Sequence, residues 1–408
     1  MRRIVSDCPA GRLRGPSAAR TLSLAVWALA LALAAVLGAR VLAGVGTQAE
    51  FFTFPYQLDE SEGMIVAETM LLSQGTNIFD PVTPDLFFAA PYPPLFYILA
   101  LPFQATLGDE PSFKIGRAIT LFATLIAGLA IFGIVTQLTR SRLGGAVGAL
   151  GFWSLSLVTF WGTLVKPDML GVALGLVGLL WVVARPERQA WLALPLFLLA
   201  FFTKQTGIAA AAAATGYLLL TSPRRGVAFG ALYAAGAVIP SLLLDWATRG
   251  GYFYHMFTVH DLPWFADRFA QFLGNFTASY GVLLVPGALA AAAYGVAWLV
   301  RKVRREPSDP LDDKTIVVTG YAMAALLVAS GAGTHGGNHN HLLDLAAACC
   351  MGLGAGLGFV LERASTPWKA AALAPLGLVL LWSPALFGTP EWLQLEFNQL
   401  KPERVAGL

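Results

Sequence analysis

Pro93-Pro94-Leu95-Phe96-Tyr97-Ile98-Leu99-Ala100-Leu101-Pro102-Phe103-Gln104-Ala105-Thr106-Leu107 is the stretch whose placement decides the topology of the chain. It is apolar, yet it falls short of the roughly 20 residues needed to cross a bilayer and carries three prolines and a glutamine. If it spans, the basic clusters Arg140/Arg142, Arg185/Arg188, Arg224/Arg225 and Arg301/Lys302/Arg304/Arg305 all fall outside the cell. If it only dips into the interface, every one of them falls inside with the N-terminal arginines, as the positive-inside rule requires. The dip is therefore adopted, and residues 44–116 become one long extracytoplasmic loop bearing amphipathic interfacial helices.

Composition sets the membrane frame. Of 408 residues, 56% are hydrophobic and 12% charged, about half the charged share of a soluble protein. Apolar stretches run at about 21–43, 117–138, 144–164, 168–184, 190–203, 206–221, 226–246, 278–300, 315–331, 342–361 and 368–386. The expectation is an all-α integral membrane protein of about eleven transmembrane helices, within a range of 10–13. Residues 1–20 form a basic cytoplasmic tail, 21–387 the transmembrane domain and 388–408 a short C-terminal tail. The apolar run after Arg20 is too long for a signal-peptide core, so the first span is read as uncleaved with its basic end in the cytoplasm. Such a chain belongs in the inner, cell membrane.

Several classes drop out. The net charge of +3 is small, and no basic run interleaved with aromatics points to nucleic acid. Cys8, Cys349 and Cys350 build neither a disulfide framework nor a Cys-x-x-Cys site.

The charges kept in so apolar a chain are informative, because each costs about 3 kcal/mol or more at mid-bilayer. The same helix parity puts Asp59, Glu60, Lys166, Asp168, Lys204 and the loop from His335 to His341 at the extracytoplasmic face. Asp59-Glu60 opens an amphipathic helix, where a carboxylate serves either as a cap or as a general base. In Lys166-Pro167-Asp168 the proline starts a new helix, leaving Asp168 in its first turn to cap it or to pair with Lys166. Lys204 stands between two apolar runs with no carboxylate near it in sequence, so it either snorkels or binds an anion such as a phosphate.

Asp59-Glu60, then Glu68-Thr69-Met70-Leu71 with Gly75, then Tyr92-Pro93-Pro94-Leu95-Phe96-Tyr97 and Arg117, together resemble the GT-C superfamily of membrane glycosyltransferases. The similarity is to its protein O-mannosyltransferase and aminoarabinose transferase branch. It implies that Asp59 is the catalytic base with Glu60 supporting it. It also implies that Lys204 lies near the donor phosphate, and Lys166 or Arg117 is the further candidate to hold that phosphate. Many relatives have Arg-Tyr shortly after the Asp-Glu pair, where this chain has Glu62-Gly63; the acceptor is left open by that departure.

Tyr92 and Asp168 are candidate substrate contacts. His335, Asn338 and His339 are candidate hydrogen-bond donors to sugar or phosphoryl oxygens, and Asp344 would orient a histidine or cap its helix. Three histidines offer enough ligands for zinc, but no Cys or His-Glu-x-x-His partner accompanies them, so no metal is predicted and no cofactor is required. The aromatic residues of 247–275 read as a loop and interfacial belt.

The expected function is inverting transfer of a sugar from a polyprenyl-phosphate donor to a hydroxyl or phosphate of an acceptor glycan, lipid or protein. The reaction would take place at the extracytoplasmic membrane face. The competing class is a polytopic transporter or flippase for a lipid-linked or anionic substrate, which should show paired half-repeats that the sequence lacks. A non-catalytic assembly protein is the third.

Overall fold

The computed structural model describes residues 15–83, 88–108, 110–306 and 310–383, with 388, 390 and 393. Most of both expected tails, including Cys8 and the arginines before residue 15, lies outside the described residues. Sixteen α-helices follow in chain order: α1 Gly15–Thr53, α2 Glu60–Ser73, α3 Leu95–Leu107, α4 Phe113–Thr139, α5 Arg142–Trp153, α6 Ser156–Trp161, α7 Asp168–Ala184 and α8 Leu194–Thr203. After these come α9 Ala209–Thr221, α10 Pro223–Ala247, α11 Gly251–Met256, α12 Ala266–Val303, α13 Pro310–Lys314, α14 Ile316–Ala329, α15 Leu343–Glu362 and α16 Thr366–Trp382. Among the described residues there is no strand, only the isolated bridge between Trp264 and Thr334.

By length and composition, six segments among the described residues suffice to cross a membrane: Ala18–Thr53, Phe113–Thr139, Pro223–Ala247, Ala266–Val303, Leu311–Gly333 and His339–Glu362. The shorter apolar helices α3, α7, α9 and α16 accompany them. The expected span at 144–164 is two helices, α5 and α6, separated at Ser154 and Leu155. The expected loop at 247–275 is corrected. Its last ten residues already belong to α12, because Ala266 to Asn275 carries no proline and only one glycine, Gly274, and Asp267 sits favourably in the first turn.

Helix α3, within the Pro93–Leu107 segment, is short for a membrane span. Thirteen residues rise about 20 Å, short of an about 30 Å hydrocarbon core. Phe96, Tyr97, Ala100 and Gln104 are buried at helical spacing, while Ile98, Leu99, Phe103 and Leu107 are exposed. The helix thus has one face on protein and another suited to lipid.

Two apolar cores result. The larger fills the bundle around α4, α7 and α15. A smaller one, built from Ile65, Val66, Ile78, Phe79, Phe96, Tyr97, Val165, Tyr252 and Met256, fastens the first loop onto the end of the bundle. His255 stitches this cap: its Nδ1 accepts from the Ala90 N–H at 3.2 Å and its Nε2 donates to the Asp80 carbonyl at 3.1 Å.

In the bundle, α15 approaches α5 through glycines, as lipid-embedded helices do when small residues let backbones meet. A Cβ on Gly354 would stand 2.5 Å from the Gly144 carbonyl oxygen and 3.0 Å from the Gly148 backbone, neither of which can rotate away. Gly354→Leu is therefore expected to destabilise the detergent-solubilised protein by about 1–3 kcal/mol in thermal unfolding. Gly377→Leu, on a site with no atom within 4 Å, is the matched control expected to change nothing.

Candidate functional site

The site begins with a buried ion pair whose acid the sequence marked only as a departure. Glu62 and Arg117 both have 0% side-chain exposure and meet at 2.9 Å. Arg117 stands on the buried stripe of α4, so its guanidinium must find every partner inside the protein. Its Nε and Nη2 donate to Glu62, and its remaining bonds go to the carbonyls of Phe51, Phe54 and Tyr56. Glu62 in turn accepts from the backbone N–H of Leu58 at 2.5 Å and of Val165 at 2.7 Å. The expectation that Arg117 contacts a donor phosphate is thereby corrected: its donors are committed to the first loop.

Val165 is the residue before Lys166, so this clamp presents Lys166 to the first loop. The Lys166 Nζ meets Asp59 Oδ1 at 2.9 Å. Threonines of α4 hold the same junction from below, Thr120 Oγ1 bonding the Lys166 carbonyl at 3.2 Å and Thr124 Oγ1 the Gly162 carbonyl at 3.0 Å. Lys166 also lies 5.0 Å from the Trp161 ring centroid. Burial disfavours its charge, but Tyr92, Asp59 and Asp168 outweigh burial and raise its pKa above that of an ordinary lysine.

Asp59 caps α2: its Oδ1 accepts from the N–H and the hydroxyl of Ser61 as well as from Lys166. Among the described residues its Oδ2 has no hydrogen-bond donor, and the side chain keeps 13% exposure. Glu60 is exposed beside it.

Beyond Pro167, Asp168 opens α7 and accepts a short charge-assisted bond from Lys204, the residue that ends α8. A carboxylate at a helix start and an ammonium at a helix end are each favoured by their helix dipole. Lys204, which has no acid near it in sequence, thus finds one 36 residues upstream. Asn340 Nδ2 donates to the same Asp168 oxygen at 3.0 Å. Asp59, Lys166, Asp168 and Lys204 therefore form a row of alternating charge.

The Tyr92 segment closes one flank. Its neighbour Pro91 accepts at 2.9 Å from both Gln205 Nε2 and His260 Nε2, which brings Tyr92 into the electrostatic surroundings of Lys166. Next to it, Pro94, Leu95, Ile98, Leu199, Phe202 and Leu243 line an open apolar groove of about 460 Å³ between α3, α8 and α10.

The histidine loop contributes differently from expectation. His335 is exposed and makes a backbone bond to Pro263, Asn338 caps the turn that follows by accepting from His339, and His339 packs edge-on against Phe272. The residues that reach the charge row are Asn340 and His341, which line a small void with Asp168 and Lys204. Asp344 orients no histidine; it accepts from the Tyr321 hydroxyl at 2.6 Å. Gln205, Asn340 and Glu62 were missed because each is one polar residue among several in its stretch, and only register selects it.

No family model and no curated protein sequence matches the chain. Its fold matches that of ArnT from Cupriavidus metallidurans bound to undecaprenyl phosphate, with a TM-score of 0.55 and 14% identity over 90% of this chain and 77% of that one. The apo form of that protein matches with a TM-score of 0.51 and 13% identity over 85% and 74%. The likeness is one of fold, the all-helical membrane architecture of ArnT.

Two outcomes test the clamp and the cap. Glu62→Ala strands a buried guanidinium and is expected to cost about 3–5 kcal/mol in detergent unfolding, with part of the loss recovered in the Glu62→Ala/Arg117→Met double variant. Glu68, buried in the first loop and bonded by the Tyr97 hydroxyl at 2.6 Å, is pushed by burial from 4.5 up to about 8. The folded state then holds a proton that the unfolded state releases, so this contribution is complete below about pH 4.5 and declines as pH rises to 8. The melting temperature of the natural protein should fall between pH 5.5 and 8, within that window, and Glu68→Gln should remove this component.

Proposed function

We propose that the chain is a glycosyltransferase that moves a sugar from a polyprenyl-phosphate donor to an acceptor hydroxyl or phosphate at the extracytoplasmic face of the inner membrane. The observation that carries this reading is the row Asp59, Lys166, Asp168, Lys204 beside an apolar groove. A lipid-linked sugar has the same two-part character, an oily chain and an anionic phosphate. Its tail would lie along α3, α8 and α10, reaching the site sideways from the bilayer, and its phosphate would come to Lys166 and Lys204. Tyr92 stands where the sugar or phosphate would pass.

For a hydroxyl acceptor, Asp59 Oδ2 takes the O–H proton as the acceptor oxygen bonds to the anomeric carbon. The bond from that carbon to the phosphate oxygen breaks, and its electron pair stays on the phosphate. The leaving polyprenyl phosphate gains one negative charge, which the two ammonium groups stabilise. One displacement inverts the anomeric carbon. An acceptor phosphate would attack without giving up a proton and would not need Asp59. The ArnT structure bound to undecaprenyl phosphate supports a polyprenyl-linked partner for this chain.

The test uses membranes carrying the natural protein or Asp59→Asn, supplied with a labelled polyprenyl-phosphate sugar. With a hydroxyl acceptor, transfer should fall about 10²–10⁴-fold in the variant. NMR of the product should show inverted configuration. A trapped covalent glycosyl-enzyme, or strict dependence on a nucleotide sugar, would overturn the proposal.

A further inference from the structure

The two ion pairs of the row are not equivalent. Lys204 and Asp168 are buried, favoured by two helix dipoles, and Asp168 is held a second time by Asn340. The two ammonium groups are about equally buried, with 7% exposure at Lys166 and 9% at Lys204, but Asp59 keeps 13% exposure against 4% for Asp168. The four charges sum to zero, so each ammonium already has its carboxylate. A sugar phosphodiester brings one more negative charge and must take a cation from one of them. Arg117 cannot supply it, because Glu62 and three carbonyls occupy its donors.

Resting on the donor reading above, we infer that Lys166 changes partner: it holds Asp59 in the empty protein, and the phosphate of an arriving polyprenyl-phosphate sugar takes it over and releases Asp59 for proton transfer. Asp59 Oδ1 then keeps only its bonds to Ser61, which preserve the cap of α2. Trp161 stays beneath the ammonium and keeps Lys166 within reach of both anions. The base becomes available when the donor is bound, so the donor should bind before the acceptor. Lys166 is here a positioning residue for Asp59 as well as a ligand of the phosphate.

The exchange is read by binding alone, with undecaprenyl phosphate as the probe and the full chain in lipid nanodiscs. Asp59→Asn keeps a good helix cap but removes the competing charge. It is expected to bind about tenfold tighter than the natural protein, a shift of about 1.4 kcal/mol. Lys166→Gln should bind about tenfold weaker and Lys166→Arg should regain most of the affinity. In Asp59→Asn/Lys166→Gln the gain should vanish, leaving the affinity of Lys166→Gln. Lys166→Met is measured in parallel, and melting temperatures show that each variant is folded. A gain that persists without Lys166 would show plain long-range repulsion and overturn the exchange, as would unchanged binding in folded Lys166→Gln and Lys166→Met. Absence of binding in every folded protein, the natural one included, would overturn the polyprenyl-phosphate reading itself.

Discussion

Everything at the active end of the bundle hangs on the Glu62–Arg117 pair. Burying two opposite charges costs several kcal/mol per ion unless the remaining valences of both are filled. Here they are filled by backbone from three places: Phe51 at the end of α1, Phe54, Tyr56 and Leu58 in the turn before α2, and Val165 just ahead of α7. The pair therefore joins segments more than 100 residues apart. One consequence is the 2.9 Å contact of Asp59 and Lys166, since Asp59 follows Leu58 and Lys166 follows Val165. The clamp sets the register of the charge row.

The alternating row obeys the same electrostatic limits. A lone ammonium or carboxylate in apolar surroundings would lose its charge or draw in water, and a strict alternation of sign lets four ionised groups persist together. Helix termini add to this at Asp168 and Lys204, where the dipoles of α7 and α8 end. Such a row is neutral as a whole, yet each member is one displacement away from meeting a different ion.

Much of this was legible in the sequence. Hydropathy fixed the helical membrane class, and loop arginines put Asp59, Lys166, Asp168 and Lys204 at one end, where the structure brings them into contact. The pairing was harder to read. Lys166 and Asp168 look like partners across a single proline, but the helix that starts at Asp168 turns its carboxylate toward Lys204 and leaves Lys166 to Asp59. Glu62 could be seen as an acid but not as a clamp, because its partner lies 55 residues away. In His339-Asn340-His341 three adjacent polar residues point in different directions, and sequence alone does not say which one reaches Asp168. The start of α12 was hidden by the aromatic residues of 252–265, which read as an interfacial belt whether or not a helix follows.

The placement of the site follows from backbone chemistry. In hydrocarbon every N–H and C=O must be bonded within the protein, so irregular chain is confined to places that protein or water can cover. Three such places converge here: the turn between α1 and α2, the junction of 162–167, and the loop between α14 and α15. That last loop is docked on the start of α12, where Phe265 and His335 bond backbone at 2.9 Å and Arg268 reaches the Gly337 carbonyl at 2.7 Å. The far end of α12 carries a different polar cluster, in which Arg301 and Arg363 bind Asp312. From Arg268 to Arg301 the helix rises about 50 Å, more than a hydrocarbon core is thick. Clustered helix breaks bring polar side chains together at one end, and the regular helices between the ends leave the interior apolar. The charge row thus arises where the fold is already obliged to be polar.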